Sequence, residues 1–211
     1  MDFFRPVEAV IPGAQGKLLA VFAETSTALS VRTAARLSGV SLAQTSRILP
    51  DLATLGILES ADVPPSTVYR LIEGNVAARA VMLLARSRDL VLAELGEAAR
   101  AMELPPVSVV VFGSLARGDA GPDSDVDVVI VHKSGVESTP IWLDGIAEWS
   151  VLARRLTGNE VEVVEVDEKD IGTRLRSRRP VWLDIRREGI VIFGRTLDEL
   201  QNRESKRRPV A

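Results

Sequence analysis

The chain has 211 residues, 46% of them hydrophobic and 26% charged, a balance that excludes a disordered chain. A formal net charge of -3 offers nucleic acid no global attraction, so any such binding must come from a local patch. The absence of cysteine excludes disulfides and thiolate metal sites.

The opening MDFFRPVEAVIPG lacks the basic and long apolar regions of a signal peptide. The longest apolar candidate, residues 75–95, is broken by Arg79, Arg86, Arg88 and Asp89, and a bilayer span needs roughly 20 apolar residues. The expectation is a soluble, cytoplasmic protein. Leu18, Leu19, Val21 and Phe22 fall at helical spacing and predict a helix over about 13–23. Ser30 is placed to cap a short helix containing Ala34, Ala35 and Leu37. Gly39 makes a turn, and Ser41 caps a second helix bearing Leu42, Ile48, Leu49, Leu52 and Leu55, closed by Gly56. Short strands are predicted over 57–60 and 67–72, joined by turn residues 61–65.

Helix, helix, glycine turn, helix and hairpin, in that order, resembles a winged helix-turn-helix. The resemblance implies DNA binding, with Ser41, Gln44, Thr45 and Arg47 facing the major groove from the start of the second helix. Two features weigh toward a dimerisation or protein-docking module instead. The wing is poor in Lys and Arg, and Pro50 sits inside the recognition helix, where proline removes a backbone donor. Residues 74–102 then read as one long helix rich in Ala and Leu. Its Val81, Leu84, Leu92 and Leu95 serve either as a connector packed on its own domains or as a homodimer seam. Pro105-Pro106 mark a boundary. The domains expected are therefore 1–74, a connecting helix over 75–104, and 105–211.

The last segment alternates strand and helix and predicts an α/β (α+β) domain with a small mixed sheet. Strands are expected over 107–112, 125–131, 160–166 and 189–194. A helix is expected over 139–156, burying Ile141, Trp142, Ile146, Trp149, Leu152 and Leu156. A second helical stretch over about 169–188 is interrupted by Pro180, and a terminal turn of helix covers 196–202. The basic tail around Lys206, Arg207 and Arg208 is expected to be disordered.

Chemistry concentrates in residues 107–131, VSVVVFGSLARGDAGPDSDVDVVIV. Side chains two apart on a strand share a face, so Asp125 and Asp127 point the same way beside the Gly113-Ser114 turn. Gly-Ser, a spacer containing Ala-Arg-Gly, and Asp-x-Asp on the next strand resembles the signature of polymerase-β-type nucleotidyltransferases, in the minimal, kanamycin-nucleotidyltransferase-like branch. The match covers about 107–194. The resemblance implies two Mg²⁺ ions and an NTP substrate, ATP first, with Asp127 bridging both metals and Asp125 on the nucleotide-side metal. Gly113 admits phosphate to the backbone, Ser114 donates to the β- or γ-phosphate, and Arg117 neutralises phosphate charge.

A third carboxylate is expected from the strand GNEVEVVEVD. Glu162 fits the family's apolar-Asp-apolar slot, with glutamate in place of the commoner aspartate; Glu160 and Glu165 are the alternatives. His132 reads as structural, and the run Arg174, Arg176, Arg178 and Arg179 as a solvated helix face or an RNA or phosphate contact. The leading expectation is a transferase that moves an NMP group to a protein, tRNA or small-molecule acceptor. Minimal members of the family occur in toxin–antitoxin systems, which favours the first two acceptors. The alternatives are a DNA-binding regulator whose nucleotidyltransferase fold only senses nucleotide, and a drug-modifying enzyme.

Overall fold

The computed structural model describes residues 1–202, and these divide into two compact units: residue 2 with 4–87, and residues 1 and 3 with 88–202. The first unit runs α1 (Pro6–Val10), α2 (Ala14–Glu24), β1 (Leu29–Ser30), α3 (Val31–Ser38), α4 (Leu42–Thr54), β2 (Leu58–Val63), β3 (Ser66–Leu71) and α5 (Val76–Ala85). Both expected caps form: Ser30 Oγ accepts from the Thr33 amide and Ser41 Oγ from the Gln44 amide. The antiparallel sheet has the order β1-β3-β2. Its hairpin is longer than expected, because Ala61, Asp62 and Val63 pair with Val68, Thr67 and Ser66 and leave Pro64-Pro65 as the turn.

Pro50 stays inside α4. An interior proline costs about 3 kcal/mol, and burying a leucine returns roughly 1.5–3 kcal/mol. Leu49 and Leu52, on either side of Pro50, are fully buried among Leu18, Phe22 and Leu58, so packing outweighs the break. The short α1 was not anticipated; Pro6 starts it and Val7 joins the same core.

The single helix expected over 74–102 is two, α5 and α6 (Ser87–Ala101), because Arg86 leaves helical geometry at φ -95, ψ 14. The two halves serve different cores. Val81 is buried in the first unit with Leu84 packed against it, while Leu92 and Leu95 are buried in the second. Three of the four side chains proposed for a dimer seam are buried inside their own units, and Leu84 is partly buried.

The second unit continues with β4 (Ser108–Phe112), α7 (Gly113–Arg117), β5 (Val126–His132), α8 (Pro140–Thr157), β6 (Val161–Asp167), α9 (Ile171–Arg176), α10 (Pro180–Glu188), β7 (Ile190–Gly194) and α11 (Leu197–Asn202). The sheet order is β6-β5-β4-β7, with β5 and β6 parallel and the other pairs antiparallel. Strands β4 and β5 are near-continuous runs of valine because both faces are covered. Val109, Val111, Val128 and Ile130 pack with Leu95 of α6 and with Trp142 and Trp149 of α8. Val110, Phe112, Val129 and Val131 pack with Leu175 of α9 and with Trp182 and Ile185 of α10.

Pro180 opens α10 at the point where the interruption was expected. In α8, Ile141 and Leu152 are not inward as expected but 49% and 36% exposed. Trp142, Ile146, Trp149 and Ala153 recur at spacings of four and three and set the phase of the buried stripe. Among the described residues no helix is long and apolar enough to cross a membrane. Lys206, Arg207 and Arg208 lie outside the described residues.

Candidate active site

Asp127 is the second residue of β5, and Asp125 immediately precedes the strand. Register places Asp127 opposite Phe112 on one side and opposite Glu162 on the other. The end of β4, Asp127 and Glu162 thus occupy three adjacent strands, about 4.8 Å apart per step. Alternation puts Asp127 and Glu162 on the sheet face covered by α9 and α10. Of the alternatives, Glu160 precedes β6 and pairs with Arg154 at 2.6 Å. Glu165 accepts a 2.6 Å hydrogen bond from Trp142 Nε1, on the opposite face.

Partial burial, followed by the negative charges of Glu162 and then Asp125, pushes the Asp127 carboxyl above its ordinary range; Arg117 pulls the other way. Asp127, flanked by the carboxylates of Asp125 and Glu162, offers the hard oxygen ligands that a divalent cation prefers, and such a cation would relieve the repulsion felt by Asp127. Gly113 adopts φ +69, and a Cβ there would lie 2.2 Å from Asp127 Oδ2. Glycine is what lets this carboxylate lie against the backbone of the turn.

The turn itself is the five-residue helix α7, where a bare Gly-Ser turn was expected. Gly118, at φ +84, closes it, and the amides of Gly118 and Asp119 both donate to the Ser114 carbonyl at 3.0 Å. Arg88 of α6 holds α7 from behind. Its Nε donates to the Leu115 carbonyl at 2.7 Å and its Nη2 to the Ala116 carbonyl. In the sequence Arg88 was only one of the charges that break the apolar run of 75–95.

Ser114 is half-buried and Arg117 exposed. Arg117 Nη1 donates to Glu188 Oε1 at 2.7 Å and Nε to Asp119 Oδ2 at 3.2 Å. These bonds, Asp119 first and then Glu188, raise the guanidinium's proton affinity further. Buried Asn159 secures the loop that leads to Asp125. Its Nδ2 donates to the carbonyls of Gly121, Pro122 and Ser124 at 3.1, 3.2 and 2.6 Å, and Ser124 Oγ accepts from the Gly121 amide. No sequence pattern pointed to Asn159.

In the first unit, Ser41, Gln44 and Arg47 are exposed at the start of α4. Thr45 departs from the expectation: it is fully buried, and its Oγ1 donates to the Ser41 carbonyl at 3.0 Å. Thr45, Leu49 and Leu52 share the inward stripe of α4, so Thr45 is not on the solvent face. Gln44 Oε1 accepts from Ser41 Oγ at 3.1 Å, a side-chain addition to the helix cap. Arg32 and Arg36 are also exposed, while Arg70 is bonded to Glu59.

Residues 92–189 match the sequence model of the nucleotidyltransferase domain, and residues 16–62 match that of the IclR helix-turn-helix domain. Among curated proteins, none matches. Solved structures with partial similarity include a toxin–antitoxin with AMP-PNP, at 17% identity and TM-score 0.34, over 52% of this chain and 80% of that one. A protein from Sulfolobus solfataricus assigned as a nucleotidyltransferase is 22% identical at TM-score 0.29, over 52% of this chain and 86% of that one. The archaeal chromatin protein TrmBL2 is 14% identical at TM-score 0.31, over 90% of this chain and 79% of that one. Similarity at these scores carries no argument here.

Proposed function

From a chain that carries a nucleotidyltransferase domain behind an IclR-type helix-turn-helix domain, we propose a Mg²⁺-dependent transferase that moves an NMP group, AMP first, from NTP to an acceptor hydroxyl on a protein, tRNA or small molecule. The observation that carries this reading is Asp127 in register with Glu162, beside Asp125, with its carboxyl pushed up by burial and then by both neighbours. Asp125, Asp127 and Glu162 are the residues that would hold the Mg²⁺ ions. Bound there, divalent ions would neutralise charge on the attacking and leaving oxygens.

The chain's own groups do the rest. Gly113 admits a phosphate to the backbone, and Ser114 donates its hydroxyl and amide to the β- or γ-phosphate. Arg117 exchanges one of its carboxylate partners for phosphate. The acceptor oxygen bonds to the α-phosphorus as the bond to the bridging oxygen breaks. The hydroxyl proton passes to Glu162, and pyrophosphate leaves with the electron pair. The test offers purified protein, Mg²⁺ and labelled NTPs to cell-extract protein and to tRNA. Label should move to an acceptor, and labelling by Asp127→Asn equal to the parent sinks the mechanism.

A second reading rests on the exposed Ser41, Gln44 and Arg47 of the helix-turn-helix domain: the chain binds DNA and its second domain senses NTP. Fluorescence anisotropy with DNA from upstream of its own gene, with and without NTP, tests it. Absence of binding at low salt removes it.

A further inference from the structure

Three metal-ligating side chains meet away from the site above. His132, Glu137 and Asp167 each offer one ligand atom, and these atoms all lie within 4.8 Å of one another. His132 ends β5 and Asp167 ends β6, and the two are paired in the parallel register. Glu137 comes from the loop between β5 and α8. His132 lies five steps along the strand from Asp127, about 16 Å at the usual rise. The faces differ as well. His132 shares the side of Val128 and Ile130, and its ring centroid is 5.6 Å from that of Trp142 on α8. Neither the transfer chemistry nor the helix-turn-helix unit uses any of the three.

The cluster is organised rather than incidental. His132 is 5% exposed, and its ring is oriented by a 2.9 Å hydrogen bond from Nδ1 to the Lys133 carbonyl. Asp167 accepts from Ser134 Oγ at 2.6 Å and from the Lys169 amide at 2.8 Å, both on Oδ1. Glu137 Oε2 lies 3.8 Å from His132 Nδ1 and is the exposed, adjustable member; with Nδ1 donating to the Lys133 carbonyl, Nε2 is the ring nitrogen left to ligate a metal. Ligands around a small divalent metal sit roughly 2.0–2.2 Å from it, so a modest approach by Glu137 completes the set. One imidazole with two carboxylates suits zinc-like ions better than Mg²⁺, which prefers oxygen alone.

We propose that His132, Glu137 and Asp167 bind a divalent transition cation of the Zn²⁺ class, which ties the ends of β5 and β6 to the loop entering α8. This does not rest on the reading of Asp127. The test uses the full chain carrying Asp125→Asn and Asp127→Asn, which silences the other carboxylate site. Adding Zn²⁺ should raise its melting temperature by several degrees, and Co²⁺ should give visible d–d bands, while Mg²⁺ gives neither. In that background His132→Gln should abolish both signals. Glu137→Gln, a change at an exposed side chain that leaves the fold intact, should weaken Co²⁺ binding at least about tenfold. No Zn²⁺-dependent shift in the silenced chain, or an unchanged Co²⁺ spectrum in the Glu137→Gln chain, overturns the proposal.

Discussion

Asp127 costs the fold something in its ionised form. Its folded-state pKa lies above the unfolded value through burial, Glu162 and Asp125, in that order. Protonation therefore stabilises the native chain. That contribution is complete below the unfolded pKa and is lost as pH rises through the raised folded value. Asp127→Asn, a neutral isostere, should raise the melting temperature at pH 7 while removing transfer by about a thousandfold or more. Roughly 1 kcal/mol corresponds to about 2–4 °C in a chain of this size. Calorimetry across pH should show the gap between variant and parent closing as the parent's carboxyl protonates. Gly113→Ala should fail differently, because its Cβ meets Asp127 Oδ2 at 2.2 Å and its φ is +69. It should lose both activity and about 1–3 kcal/mol of stability, read by denaturant titration. Asp125, Asp127 and Gly113 were legible as a spacing. Glu162 was legible only through the family's apolar-Asp-apolar slot; that it lies in register with Asp127, while Glu160 pairs with Arg154 and Glu165 with Trp142, was not, because three glutamates within six residues differ in what the neighbouring elements set beside them.

At the scale of the element, α7 depends on a residue 27 positions upstream of the carbonyl it binds. Arg88→Met keeps the stem and deletes the donors to the Leu115 and Ala116 carbonyls. Each carbonyl left unpaired costs about 1–3 kcal/mol if water does not reach it. The expected signature is a raised KM for NTP, with Arg88→Lys recovering part of it, measured by steady-state labelling. A merely structural role predicts loss of stability with KM unchanged. The two segments read as one helix show how propensity misleads. An Ala- and Leu-rich run favours helix throughout, yet its stripes are buried in two different cores and the backbone breaks at Arg86. Pro50 errs in the opposite direction, since local chemistry argues for a break and the buried leucines beside it hold the helix.

For the whole molecule, a net charge of -3 leaves any DNA affinity to a few exposed arginines of the helix-turn-helix unit, Arg32, Arg36 and Arg47. If all three meet phosphates, log affinity should fall with log salt at a slope of about -3. Replacing them with glutamine should flatten that slope and weaken binding while leaving NMP transfer unchanged. Anisotropy and labelling on the same preparations check both. Most of the strands and helices, the caps at Ser30 and Ser41 and the Gly-Ser to Asp-x-Asp spacing were readable from residues a few positions apart. They follow from periodicity, capping and turn chemistry, which are local. The pairing of Asp127 with Glu162, the inward turn of Thr45, the Arg88 brace behind α7 and the meeting of His132 with Asp167 required the tertiary structure. Each joins groups through strand register or packing phase, and a local pattern states which residues share a face but not which distant residue comes to lie beside them.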